Sequence, residues 1–340
     1  IAPNRPRNPG MVRGRGGQGR AFPFSNLTNN IIIYSTCRDY KTGLAMTPMF
    51  HEATVLSRQY LTPGMIRLTF GGPGLGAFMT TGIGDEYLRL FFPNEQTGKL
   101  HLPHITEDGR WTYPDGQDAI RCATYTVRRL RPEAGEVDID FVVHEGGLAS
   151  EWAQRASPGD RVTINNPRGL YTPPADIVWQ LLVADATGLP ALSRLLEQTP
   201  KHVQSRVFIE VARPEDEQDL PAHPGATVTW LHKSGNGVAP SRMGDVVRAV
   251  SLPATPGYVW VAGEQKEVRA IRKFVRQELK LPAERYELVG YWTADGEEWD
   301  ARWAALDPAI KARIDAAWDS GRDPEDVRDE YEATLEKFGL

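Results

Sequence analysis

The sequence predicts an antiparallel β-barrel, then a parallel α/β sheet, then a helical C-terminal extension. Short alternating segments separated by glycine and proline turns fill residues 50–172 and include one short helix, a pattern typical of an antiparallel barrel. After Pro173 and Pro174, continuous apolar strands alternate with helical segments, which indicates a parallel sheet with helical crossovers. Three further helix signals follow residue 296.

Length and charge divide the chain into four expected parts, because 340 residues exceed one ordinary core. They are a flexible basic tail (1–46), a barrel domain (47–173), an α/β domain (174–293) and a helical extension (294–340). The tail carries seven Lys and Arg against one acidic residue, and the extension carries six against fourteen. No basic footprint typical of duplex binding and no run of about 18 apolar residues is present. We therefore expect no binding to nucleic acid or membrane. The chain has only two cysteines, Cys37 and Cys122, which fits a reducing, cytoplasmic compartment.

The barrel segment contains a turn suited to a phosphate group. A strand over 137–143 is predicted from its two-residue alternation, and Gly146 and Gly147 then lead into a helix at Leu148. A helix that begins after a flexible turn presents unpaired N–H groups and a positive dipole end. The preceding strand places Tyr125 and Thr126 just before Arg128 and Arg129. An aromatic ring beside hydroxyl and cationic donors indicates a nucleotide cofactor.

In the α/β segment, the strand VWQLLVAD runs directly into Thr187-Gly188-Leu189-Pro190, where Pro190 fits the first turn of a helix. Ligands of parallel sheets bind beyond the carboxyl ends of the strands, here 185–190, 212–213 and 262–264. We expect most arginines of the helix over 264–280 to lie on a solvated face.

The extension contains two Asp-Pro pairs, at 307–308 and 323–324, each followed by a one-sided apolar stripe. An aspartate before proline is typical of a helix start. We expect these helices to pack onto the chain's own domains, with a dimer contact as the alternative.

The stretch 121–160 resembles the flavin-binding core of the siderophore-interacting proteins, the ferric-siderophore reductases of the ferredoxin-reductase superfamily. The matching residues are Tyr125, Thr126, His144, Gly147, Ala149, Ser150, Trp152, Ala153 and Pro158-Gly159-Asp160. The family's arginine two residues before the tyrosine is replaced here by Ala123. Arg121 lies on the same strand face roughly 6–7 Å farther along, and we expect it to supply the pyrophosphate contact.

The resemblance implies that the barrel is a Greek-key FAD-binding domain. The implied FAD contacts are Arg121, Tyr125, Thr126, Val127, His144, Gly147, Leu148, Ala149 and Ser150. The Thr-Gly-Leu-Pro turn, the Ala-Gly-Glu segment at 262–264 and Gly290-Tyr291-Trp292 resemble the family's NAD(P)H-binding half. Cofactor contacts by Thr187 and Trp292 follow from that likeness. Whether the donor is NADPH or NADH stays open. Arg213 and Lys233 would favour the 2′-phosphate of NADPH, whereas Glu215 and Asp216 would repel it.

The implied activity is an FAD-dependent NAD(P)H ferric-siderophore reductase, in which flavin joins a two-electron donor to the one-electron acceptor Fe(III). This chemistry requires no acid–base catalytic residue. We also expect no resident metal, since His101 and His104 have no carboxylate or cysteine at a spacing suited to a metal site. The expected partner is an anionic ferric siderophore, catecholate or mixed-ligand, which would be attracted by Lys266 and Arg129. The expected assembly is a monomer or weak dimer. The alternatives are a general flavin or ferredoxin-type reductase, or a siderophore-binding protein without turnover.

Overall fold

The computed structural model describes residues 50–105, 111–112 and 120–340. The predicted tail over 1–46 lies outside these residues. The N-terminal half contains nine strands and one α-helix within the described ranges: β1 (Phe50–Thr62), β2 (Met65–Gly71), β3 (Tyr87–Phe92), β4 (His104–Ile105), β5 (Trp111–Thr112), β6 (Arg121–Thr126), β7 (Arg129–Arg131), β8 (Glu136–Val142), α1 (Leu148–Arg155) and β9 (Arg161–Asn165).

Seven of these strands form one sheet in the order β6-β3-β9-β1-β2-β8-β7, with neighbours antiparallel. The sheet curls, because the ring of Tyr125 on β6 lies 4.4 Å from that of Phe141 on β8 although five places in the order separate the two strands. The inner face holds an apolar core that includes Ile66, Leu90 and Ile139. The predicted antiparallel barrel is confirmed.

Strand β8 is buried on both faces rather than one. Its acidic residues are covered by ion pairs, since Asp140 accepts two hydrogen bonds from Arg67 at 2.6 and 2.8 Å. Asp138 likewise accepts two from Arg131, both at 2.7 Å. The alternation of apolar and acidic residues therefore predicted correctly which residues lie on each face of β8, but it did not predict that the acidic face is also buried.

The C-terminal half contains a five-stranded parallel sheet and its helices, followed by the extension. Its elements are β10 (Trp179–Ala184), α2 (Leu189–Gln198), β11 (Gln204–Val211), β12 (Ala226–His232), α3 (Met243–Ala249), β13 (Gly257–Glu264), α4 (Gln265–Lys273), β14 (Tyr286–Trp292), α5 (Gly296–Ala305), α6 (Pro308–Trp318) and α7 (Pro324–Lys337). A π-helical segment, Phe274–Glu278, continues α4.

The parallel strands lie in the order β12-β11-β10-β13-β14. The order reverses between β10 and β13, so the sheet has a topological switch point beyond the carboxyl ends of these two strands. Pro190 lies in the first turn of α2, after the cap residue Gly188, as predicted. The predicted α/β architecture is confirmed.

The extension packs on the chain itself. Asp307 and Asp323 cap α6 and α7 as predicted, each accepting a hydrogen bond from a first-turn N–H at 2.8 Å. The three helices share a small core that includes Trp303, Ile314 and Leu335.

Helix α7 also covers the arginine face of α4. Arg272 is 1% exposed and forms ion pairs with Glu325, Asp329 and Glu332 at 2.8, 2.5 and 3.0 Å. Arg276 pairs with Asp329 as well, at 2.7 Å. The expectation that most arginines of this helix lie on a solvated face is wrong here, because the acidic extension supplies the partners that allow these guanidinium groups to be buried. Within the described ranges no helix is both long and apolar enough to cross a membrane.

Candidate cofactor and substrate site

The turn between β8 and α1 is closed by local hydrogen bonds. The hydroxyl of Ser150 accepts from the backbone N–H of His144 at 3.0 Å and donates to its carbonyl at 2.9 Å. A Cβ at Gly147 would lie 2.1 Å from the imidazole Cε1 of His144, so the ring rests directly against the glycine. Gly147 is the cap residue of α1, and among the described residues no side chain caps this helix. The first-turn N–H groups are therefore available to an anion.

The apolar side chains of this helix face the barrel. Ala149 is 3% exposed and lies in the barrel core, and Leu148 packs against that core. Only the backbone of these two residues is therefore suited to contact a ligand. Trp152 stacks on Phe70 with ring centroids 6.2 Å apart and an interplanar angle of 6°, which fixes the helix on the sheet.

Tyr125 lies beside this helix on β6. Its ring packs against Phe141, and burial raises the pKa of its phenol, so the hydroxyl stays protonated. Two positions before it, Ala123 is buried in the barrel core. Arg121 is turned to the loop after β3, where it donates to the carbonyl of Pro93 at 3.0 Å and to Glu95 at 2.7 Å. A pyrophosphate contact by Arg121 therefore requires this pair to open, which costs little because Glu95 is largely exposed.

The end of β6 is joined to the parallel sheet. Thr126 is 5% exposed and hydrogen-bonds to the hydroxyl of Tyr291 on β14, a tyrosine whose pKa is raised by burial. The carbonyl of Val127 accepts from Arg194 on α2 at 2.7 Å. The strand that carries Tyr125 and the helix that begins at the Thr-Gly-Leu-Pro turn are therefore in direct contact.

At the switch point, the side chains of Thr187 and Trp292 meet on one acidic residue. The Thr187 hydroxyl donates to Asp185 at 2.6 Å, and the Trp292 indole N–H donates to the other carboxylate oxygen, also at 2.6 Å. Asp185 is fully buried, and burial raises its pKa although these hydrogen bonds oppose the shift. Sequence reasoning marked this strand end but did not select Asp185 itself. Its signal is an acidic residue that directly follows an apolar strand at the switch point.

The two cationic candidates for the substrate lie on different elements. Lys266 is exposed in the first turn of α4, next to Glu267 and just beyond the end of β13. Arg129 is half-exposed at the start of β7 and lies 3.7 Å from Glu197 of α2. The neighbouring Arg128 is buried and pairs with the same carboxylate at 2.8 Å. Lys266 therefore borders the switch point, whereas Arg129 lies at the contact between the barrel and α2. Among the described residues no cluster of histidine, cysteine or acidic side chains has the arrangement of a metal site.

Comparison with known proteins gives matches over most of the described chain. The family model described as siderophore-interacting FAD-binding domain matches residues 54–171, and the model described as siderophore-interacting protein matches residues 177–295. The NADPH-dependent ferric-chelate reductase of Escherichia coli K12 is 34% identical over 249 residues, which cover 72% of this chain and 93% of that protein. The ferric vibriobactin reductase ViuB of Vibrio cholerae is 32% identical over 242 residues, covering 69% and 86%.

A solved structure of a siderophore utilization protein from T. fusca superposes with a TM-score of 0.64 at 34% identity, covering 72% of this chain and 93% of that one. The second of the two matched family models ends at residue 295, so helices α5 to α7 lie beyond both.

Proposed function

We propose that this chain, which belongs to the siderophore-interacting protein family, is an FAD-dependent NAD(P)H reductase that releases iron from ferric siderophores. The observation that carries the proposal is the contact between two half-sites. The glycine turn before α1 and the aromatic strand β6 form one of them, and the switch point of the parallel sheet forms the other. Arg194 and Tyr291 join the two across the seam.

The residues of the barrel half-site fit FAD. The uncapped first turn of α1 suits a pyrophosphate, and the absence of a side chain at Gly147 lets the imidazole of His144 pack directly against that turn. We assign the phosphates to the backbone of His144 and 147–150. Ser150 contributes by holding the turn closed, and Arg121 contributes after leaving Glu95. Tyr125, Thr126 and Val127 would border the isoalloxazine ring.

The α/β half-site would hold the nicotinamide donor, NADPH or NADH. Thr187 begins the turn at the switch point, and the partly exposed indole of Trp292 lies at the end of β14 next to it. Bound FAD would supply the conversion of a two-electron donor into single electrons for Fe(III). The chain's own residues would orient the two ring systems and keep water from the seam, and none of them needs to donate or accept a proton.

The substrate we propose is an anionic ferric siderophore, of catecholate or mixed-ligand type. Lys266 carries a charge that the described residues leave exposed beside the switch point, so it would raise the local concentration of such a complex. Arg129 is a second contact, shared with Glu197. We propose further that the functional units are 47–173, 174–293 and 294–340, and that the protein acts in the cytoplasm as a monomer or weak dimer.

An anaerobic experiment with the purified protein tests this function. The proposal expects a bound yellow flavin that is bleached by NADPH or NADH and restored by a ferric catecholate. Restoration by a ferredoxin or free flavin but not by ferric chelates would identify a general reductase. Flavin or siderophore binding without bleaching would identify a binding protein without turnover.

A further inference from the structure

We propose that Asp185 is a positioning residue for the nicotinamide donor, whose carboxylate fixes the indole of Trp292 across the carboxyl ends of the parallel strands. The inference rests on the proposed function, since it assigns a role to a residue within the donor half-site. Trp292 would contact the donor, and Asp185 would act through Trp292 without touching the donor.

The carboxylate of Asp185 has a different task on each oxygen. Oδ1 accepts from the backbone N–H and the hydroxyl of Thr187 at 2.8 and 2.6 Å, and from the N–H of Gly188 at 3.3 Å. Oδ2 accepts from the indole N–H of Trp292 at 2.6 Å. One side of the carboxylate therefore shapes the Thr-Gly-Leu-Pro turn, and the other holds the aromatic ring. All four hydrogen bonds run from N–H or O–H donors to the carboxylate, an arrangement that favours its ionised form, and hydrogen bonds to an ionised acceptor are stronger than those between neutral groups.

The bond from Asp185 to Trp292 crosses an intervening strand. Asp185 follows β10 and Trp292 ends β14, whereas β13 lies between them in the sheet. A Cβ at Gly263, on β13, would lie 2.8 Å from Oδ2 of Asp185 and 2.7 Å from Cε of Met243. Because glycine has no side chain, it leaves the space through which the carboxylate reaches the indole.

The far edge of the indole approaches a second loop. A Cβ at Gly237 would lie 3.9 Å from Cη2 of Trp292, the atom at the six-membered end of the ring. That loop is tied to the same sheet edge by Asn236, which accepts from the N–H of Ala186 at 3.0 Å and donates to the carbonyl of Glu210 at 3.1 Å. The ring thus spans from the end of β10 to the loop after β12, the region where a ligand of this sheet would lie.

The burial of the two partners argues that the bond positions a ligand contact. Asp185 is 0% exposed, whereas Trp292 is partly exposed at the rim. Burying a carboxylate is costly unless strong hydrogen bonds compensate it. A purely structural tryptophan would gain more from complete burial, as Trp260 in the same sheet does at 0% exposure. Here the buried charge instead fixes a ring that remains accessible to a ligand.

Three substitutions break the bond in different ways. Asp185→Asn can keep its oxygen on the turn, and then it presents an N–H₂ donor to the indole N–H. Trp292→Phe keeps an aromatic ring but removes the N–H. Gly263→Ala changes neither partner and places a methyl group against Oδ2. The matched control is Trp260→Phe, which removes another indole–aspartate bond, to Asp85 at 3.2 Å, away from the rim.

The test measures NADP⁺ and NAD⁺ binding to the FAD-loaded protein by calorimetry, and the two half-reactions by stopped flow with the donor that binds. We expect Asp185→Asn and Gly263→Ala to raise the Kd about tenfold, the effect of losing one hydrogen bond to a charged group. Flavin reduction by NADPH should slow at subsaturating donor, whereas reoxidation by the ferric chelate should keep its rate. In the Trp292→Phe background, Asp185→Asn should add less than twofold. Trp260→Phe should lower the melting temperature without raising the Kd.

The inference would be overturned if the Kd values of Asp185→Asn and Gly263→Ala both stayed within twofold of that of the unsubstituted protein. It would also be overturned if the rise in Kd of the Asp185→Asn, Trp292→Phe double variant equalled the product of the two single rises. Should Asp185→Asn fail to fold, Gly263→Ala and Trp292→Phe decide alone. Failure of the proposed function looks different, because the unsubstituted protein would then bind neither NADP⁺ nor NAD⁺ and would be reduced by neither NADPH nor NADH.

Discussion

Replacing Arg194 with methionine removes a charge that links the two sheets. Arg194 is 8% exposed on α2, and one guanidinium nitrogen donates to Glu86 at 2.8 Å and to the carbonyl of Val127 at 2.7 Å. Glu86 is 0% exposed, so the substitution leaves a buried carboxylate without its cation. Methionine replaces most of the apolar stem, and the loss is therefore mainly electrostatic.

The size of the stability loss depends on the hydrogen-bond donors that Glu86 keeps after the substitution. Breaking a buried ion pair by removing one partner costs about 3–5 kcal/mol. Glu86 keeps three donors, from the hydroxyl of Thr80 at 2.5 Å and from the N–H and hydroxyl of Thr81 at 2.6 and 2.7 Å. These donors offset part of the penalty, and the Val127 carbonyl loses one further hydrogen bond of about 1 kcal/mol. We expect the free energy of unfolding to fall by about 3–4 kcal/mol.

Urea denaturation of four variants measures this loss. Glu86→Gln removes the charge from the other side, and the double substitution removes both charges. We therefore expect the double variant to be more stable than the sum of the single losses predicts, by at least about 1 kcal/mol. Arg161→Met is the matched control, because its pair with Glu52 at 3.1 Å is exposed on both sides and should contribute below about 1 kcal/mol. An Arg194→Met loss no larger than that of the control would refute the reasoning.

Three further predictions concern the extension, the cofactor turn and the substrate. Burial alone would raise the pKa of Glu325, but hydrogen bonds and the charge of Arg272 hold that pKa below its ordinary value. The ionised Glu325 therefore stabilises the fold at any pH above its pKa in the unfolded chain, and this stabilisation is lost as the pH falls through its pKa in the folded protein. Arg272→Met should therefore cost about 3–5 kcal/mol at pH 7 and weaken the fall of the melting temperature between about pH 5 and 3; an unchanged acid profile would contradict this. Gly147→Ala should weaken FAD binding by about 1–3 kcal/mol in a flavin titration, since its methyl meets the imidazole, whereas Gly76→Ala, with nothing within 4 Å, should bind FAD normally. Lys266→Ala should raise the KM for an anionic ferric catecholate at low salt, leaving flavin reduction intact; equal KM values for variant and unsubstituted protein would remove Lys266 from the site.

The parts of the fold that sequence predicted are those set by local chemistry. Strand alternation and helix caps depend on neighbours a few residues apart, so the barrel strands, the start of α2 and the caps Asp307 and Asp323 could be derived. The parallel sheet followed from strand–helix alternation, whereas the strand order that creates the switch point came only from the structure. Assignments of individual residues to FAD or NAD(P)H came from family resemblance, and they stay predictions.

What the sequence did not show depends on pairing between distant segments. Arg272 and its carboxylates lie more than 50 positions apart, and Arg67 and Asp140 lie 73 apart. A periodic pattern of polar residues predicts a face that is exposed to water. Such a face is buried only where side chains of opposite charge from a distant part of the sequence pair with it. Arg121 illustrates the same limit, because its nearest acidic partner in space belongs to the loop after β3.

Helix α2 contacts both sheets, so it would help to fix the distance between the proposed flavin and nicotinamide sites. Its first turn begins at the switch point, where Asp185 accepts from Thr187 and Gly188. One turn and a half farther along, Arg194 donates to the carbonyl that follows the last residue of β6. A shift of the parallel sheet relative to the barrel would strain the buried Arg194–Glu86 pair. Since hydride transfer from a nicotinamide to a flavin would depend on the distance between the two rings, a buried and costly ion pair at this position favours one docking geometry over its alternatives.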